Sequence, residues 1–120
     1  MMKTLEDKYS AALDEESAAY DEANDAMLAA LKARANVAVA RVKDAEIRIS
    51  AAAAADDFNF AAVKEEIDKT DIKKLSFLAV LEFETTAVAE KAFAKVDAAE
   101  AKVAKLKAEL AIATALKKVA

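Results

Sequence analysis

At 120 residues the chain has the length of one domain, and a formal net charge of −4 gives it no overall attraction for nucleic acid. Gly, Pro, Cys, His, Trp and Gln are all absent and alanine is the commonest residue, where average usage predicts roughly 8 Gly and 6 Pro. These absences exclude the glycine-rich phosphate loop, the dinucleotide fingerprint, the usual zinc site, the Ser-His-Asp and Cys-His nucleophiles, and any disulfide. Alanine is the best helix former and Gly and Pro the worst, so the expected fold class is all-α.

The first arm is expected over about residues 4–55. Thr4 is a candidate N-cap, with Asp7 three residues on. Met2, Leu5, Tyr9, Ala12, Ala19, Ala23, Ala26, Ala30, Ala33, Val37 and Ala40 recur at threes and fours, the helical period. Leu13, Tyr20 and Met27 flank this stripe at intervals of seven. After Leu28 the apolar face drifts to Leu28, Leu31, Ala35, Ala38, Val42, Ala45, Ile49 and Ala52. A straight helix of 3.6 residues per turn drifts in this way against a seven-residue repeat, and the buried face is expected to follow. Asn24–Asp25 and Asn36 are the candidate breaks in this arm.

The turn is expected over about residues 55–59. A run of five alanines ends the packing face, and Asp56, Asp57 and Asn59 offer side-chain oxygens to cap a new helix. Phe58 or Phe60 is placed to staple that helix start. The second arm spans about 60–119, with a possible break near 69–71, where Thr70 or Asp71 can cap a fresh helix. Phe60, Val63 and Ile67 are the apolar set before that break. After it Leu78, Leu81, Thr85, Val88, Ala92, Val96, Ala99, Val103, Leu106, Leu110 and Ala113 keep three–four spacing for about five heptads. The most apolar segment, Leu75–Phe83, turns large side chains to several sides, more than one opposing arm covers. Phe77, Leu78, Val80, Leu81 and Phe83 are therefore the candidate helix–helix contact residues.

Charge adds a topological argument. Residues 1–30 hold Lys3 and Lys8 against eight acids, whereas residues 91–120 hold seven lysines against Asp97, Glu100 and Glu109. Folding the arms back on each other lays the acidic end beside the basic one. The expected architecture is a single helical domain over 1–120. It is a long antiparallel helical hairpin with a coiled-coil-like, Ala-rich seam, self-associating into a helical bundle. The alternative is a compact up-down four-helix bundle, with further breaks near Asn36 and Glu84–Thr86.

Little chemistry is left to the remaining residue types. Glu16 falls on the apolar stripe, where a carboxylate is a candidate acid, base or ligand, but one carboxylate makes no constellation. Asp56–Asp57 and Glu65–Glu66 are oxygen donors for a hard cation, yet neighbours on a helix diverge, so capping and solvation are their expected roles. Lys102, Lys105 and Lys107 form a basic stripe without interleaved aromatics, which suits the acidic arm better than a nucleic acid. Tyr9 and Tyr20 read as packing residues. No cofactor, metal or small-molecule substrate is expected, and no enzymatic activity.

Uncharged runs reach about seven residues against the roughly 20 a membrane span needs. The opening residues turn acidic without an apolar run, so no secretory signal is expected and a cytoplasmic or intravirion setting is the default. The expected function is a non-enzymatic structural or assembly role through helix packing, as in a virion, filament or scaffold subunit. The alternatives are a designed or selected helical bundle without natural activity and an amphipathic lipid-surface binder.

Overall fold

The computed structural model describes residues 4–119. Three helices account for nearly all of them: α1 (Leu5–Asp56), α2 (Phe60–Asp68) and α3 (Ile72–Val119). No strand occurs among the described residues. Met2, the first member of the apolar stripe, lies outside them.

Each helix start has a side-chain cap. The Asp7 amide donates to Thr4 Oγ1 at 3.1 Å, the Ala62 amide to Asn59 Oδ1 at 3.2 Å, and the Lys74 amide to Asp71 Oδ1 at 2.9 Å. These bonds satisfy amides that have no partner inside the helix. Phe58 and Phe60 are both largely exposed, so neither staples the start of α2 as the sequence suggested.

The end of α1 is unusual. The Asn59 amide donates back to Ala54 O at 2.9 Å and the Phe58 amide to Ala55 O at 3.0 Å, the paired bonds of a Schellman motif. That motif needs a left-handed residue, which is normally glycine. With no glycine in the chain, Phe58 takes the position at φ 55° and leaves its ring 80% exposed.

The four-helix alternative is corrected here. α1 runs unbroken through Asn24, Asp25 and Asn36, and α3 runs unbroken through Glu84–Thr86. Thr85 is accommodated because its hydroxyl donates to Leu81 O at 2.8 Å and Glu82 O at 3.1 Å, which removes the cost of a half-buried polar group.

The chain divides into two compact units, Met1–Leu28 with Thr86–Ala120, and Ala29–Thr85. In the first unit Ala23, Ala92 and Val96 form a buried cluster, with Ala19, Ala26 and Phe93 packed against it. Glu15 pairs with Lys102 and Glu22 with Lys95, each at 3.0 Å, and the Tyr20 hydroxyl donates to Glu100. Partners fall along α3 as they rise along α1, so the two segments run antiparallel. The ion pairs are exposed and are worth at most about 1 kcal/mol each, so small-residue packing carries this unit.

In the second unit Ala33, Val37 and Ile47 are buried and Arg34 Nε approaches Glu82 Oε1 at 3.7 Å. α2 contributes no buried residue. Val63 is half-buried there, whereas Phe60 and Ile67 are exposed.

The buried line of α1 is strict. It runs Leu5, Tyr9, Ala12, Glu16, Ala19, Ala23, Ala26, Ala30, Ala33, Val37, Ala40, Asp44, Ile47, Ala51 and Ala54, alternating fours and threes without a slip. The expected drift after residue 28 does not happen. Leu28, Leu31, Val42 and Ile49 are exposed, and the line keeps its phase through the polar Asp44 instead. In α3 the corresponding line is Leu75, Leu78, Glu82, Thr85, Ala89, Ala92, Val96, Ala99, Val103, Leu106, Leu110 and Ala113. Ala89 is buried where Val88 was expected, because position 89 keeps the seven-residue interval between Glu82 and Val96.

Candidate interaction surface

Because alanine fills so much of the buried line, large aliphatic and aromatic residues are left outside. In the second unit Phe77 is 66% exposed, Val80 55% and Phe83 77%. They follow one another at threes on α3, away from Leu75, Leu78 and Glu82. Leu78 and Leu81 are half-buried. The five candidate contact residues therefore divide: three face outward and two pack within their own unit.

The outer line of α1 matters as much. Every seventh residue reads Asp7, Asp14, Asp21, Leu28, Ala35, Val42, Ile49 and Asp56, all exposed. Acidic for three heptads, it is apolar for the next four and then acidic again. The line through Leu13, Tyr20 and Met27 changes in the opposite sense, to Arg34, Arg41 and Arg48. Leu31, Ala38, Ala45 and Ala52 sit beside the apolar part and complete a second three–four stripe. So α1 carries two seams, one covered and one open. Sequence reading found the open one and took it for the covered one.

Charge along this stretch is one-sided. Between Asp25 and Asp44, α1 has Lys32, Arg34, Arg41 and Lys43 and no acid. Arg48 pairs with Asp44 Oδ2 at 3.0 Å, and Asp44 Oδ1 is buried without a partner.

At the turn Phe60, Ile67 and Ile72 join Phe58 in exposing apolar surface. Among them stand Asp56, Asp57, Glu65, Glu66, Asp68 and Asp71. Glu66 binds Lys69 at 2.9 Å, which raises the Lys69 ammonium above its ordinary 10.5, through that hydrogen bond first and the carboxylate charge second. Asp71 is engaged as a cap. Among the described residues no group of three or more acidic side chains is placed to hold a metal ion.

A cleft of about 480 Å³ opens in the second unit, with Val39, Ile47, Leu75 and Leu78 as its apolar lining and Lys43 and Lys74 beside them. Its other polar members include Asp44, Lys69 and Asp71, whose roles are structural as described. Of the remaining singled-out residues, Glu16 and Tyr9 are half-buried on the covered line of α1, and Lys102 is engaged by Glu15. No described helix is long and apolar enough to cross a membrane.

The most prominent feature is thus an open apolar seam with basic margins on α1 and a bulky aromatic ridge on α3. No family model matches the chain, and no curated protein or solved structure matches it either.

Proposed function

We propose that this chain is a structural or assembly protein that works through helix–helix packing rather than catalysis. In this reading residues 1–120 act as one helical hairpin, with arms over about 4–55 and 60–119. Its Ala-rich seam is coiled-coil-like, and further copies or partners complete a larger bundle. Phe77, Leu78, Val80, Leu81 and Phe83 are the contact segment. Phe77, Val80 and Phe83 meet the other chain, while Leu78 and Leu81 hold the ridge from below.

One observation carries the proposal. Large apolar side chains stand exposed along α1 (Leu31, Val42, Ile49) and α3 (Phe77, Val80, Phe83) of the same unit. Each helix thus carries its own row of large apolar side chains on the side away from the seam, more than the singly scattered apolar residues of an ordinary monomer surface. Fully burying each such side chain is worth about 1.5–3 kcal/mol, enough in sum to drive association.

Absolute mass by light scattering on a sizing column, across a hundredfold concentration range, tests it. A dimer or larger species is expected. A mass of 12.8 kDa at every concentration refutes the proposal.

A lipid surface is the second reading, favoured by the basic residues Lys32, Arg34, Arg41 and Lys43 around Leu28, Leu31, Val42 and Ile49. Flotation with anionic vesicles, absent with neutral ones, is its expected signature.

A further inference from the structure

We infer that the cleft of the second unit binds a single-chain carboxylate amphiphile, a medium-chain fatty acid. Its carboxylate sits between Lys43 and Lys74, and its tail lies along Val39 and Leu78. The inference goes beyond the assembly reading and does not rest on it, since every residue it uses belongs to the second unit of one chain.

The two lysines carry the argument. Arg34 meets Glu82 across the seam of two antiparallel helices, so Lys43, nine residues further along α1, comes level with Lys73 and Lys74. Lys43 and Lys74 both line the cleft, one from each wall, and both are exposed. Among the described residues neither ammonium has a carboxylate within ion-pair distance. Two like charges facing each other across a cleft repel, and an anion between them relieves both.

The other charges of the cleft are already committed. Lys69 is held by Glu66, and Asp44 turns to Arg48, which stands outside the lining. Asp71 accepts from the Lys74 amide as the cap of α3. Lys43 and Lys74 are what remains to meet a ligand.

The apolar part of the cleft selects the rest of the molecule. Its volume of about 480 Å³ falls in the roughly 300–1,000 Å³ range of small-molecule sites. From Lys43 to Asn36 it follows about 10 Å of α1, room for an acyl chain of about eight to ten carbons. An inorganic anion would use the lysines and leave Val39 and Leu78 wet, and an uncharged alkane would do the reverse. An amphiphile uses both. The lysine stems let the carboxylate stay at the rim in contact with water while the tail is covered.

Isothermal titration of the full chain with decanoate, below its micelle concentration, tests this. One saturable site per chain is expected, with a dissociation constant of about 1 mM or tighter. Decyltrimethylammonium has the same tail and the opposite charge, and is expected to bind at least about tenfold more weakly. That preference is diagnostic, because a chain of net charge −4 otherwise favours the cation. Lys43→Gln combined with Lys74→Gln is expected to weaken decanoate about tenfold, whereas the corresponding pair of arginine substitutions retains binding. Both positions are exposed, and circular dichroism verifies that the variants keep their helix content. In methyl NMR the shifts are expected at Val39 and Leu78.

Absence of saturable binding overturns the inference. So does equal affinity for the two amphiphiles, or decanoate affinity unchanged in the double glutamine variant. Methyl shifts confined to Val42, Ile49 and Val80 overturn it as well, because they place the ligand on the outer apolar rows instead of in the cleft.

Discussion

Ala23 is wholly buried in the first unit, against Ala92 and Val96, and its size sets how closely α1 and α3 approach there. Ala23→Leu adds three carbons where no surface is accessible. Inserting methylenes into a packed site costs about 1–3 kcal/mol, since neighbours must leave their rotamers or the helices must separate. Separation also weakens packing at Ala19 and Ala26, on the same line, so the upper part of that range is expected. For a chain of this size each kcal/mol moves the melting temperature by roughly 3–5 °C, so a drop of roughly 6–15 °C follows. Ala18→Leu, on the exposed side of the same helix, is the control and is expected to shift melting by no more than about 2 °C. Far-ultraviolet circular dichroism melts at one fixed protein concentration measure both, because association also contributes to stability. If Ala23→Leu melts at or above the parent temperature, the seam has room for large residues and the close-packed alanine account fails.

Three further substitutions probe single features. Asp44→Leu replaces a side chain that is only 13% exposed and holds an unpartnered buried oxygen, so a gain of about 1–3 kcal/mol is expected in chemical denaturation. Arg48, its ion-pair partner, is 80% exposed and loses nothing by solvation. Phe58→Gly removes a bulky residue from the left-handed region at little packing loss, and a stabilisation of about 1 kcal/mol is expected; destabilisation would mean that the exposed ring has a hidden contact. Lys69 is expected to titrate above 10.5 by NMR and to fall back in Glu66→Gln. Its pKa is raised in the folded state, so whatever the pair adds to stability is complete below 10.5 and is lost as pH rises through the folded value.

The helical character of the chain was legible because it rests on missing residue types, which no tertiary context supplies. The caps were legible for a similar reason: Thr4, Asn59 and Asp71 are short oxygen-bearing side chains at breaks in the apolar period. The buried face was legible only in part. From Leu5 to Ala40 the apolar line and the covered line coincide, but beyond Ala40 the covered line passes through Asp44, while Leu31, Val42 and Ile49 offer a more hydrophobic stripe alongside. Ranking by hydrophobicity chose the wrong one, since close approach of two helices selects small residues inside and leaves large ones out. Val88 and Ala89 repeat the lesson in α3. The left-handed Phe58 was illegible in principle, because the position it occupies is one that sequence reasoning assigns to glycine.

The connection between the long helices buries no residue of α2. Its contribution is one of concentration. A tether keeps α1 and α3 at roughly millimolar concentration with respect to each other, so their encounter is intramolecular however dilute the protein becomes. Cut between α2 and α3, the same two helices meet as separate molecules, and a pairing that dilution cannot separate becomes one that dilution dissolves.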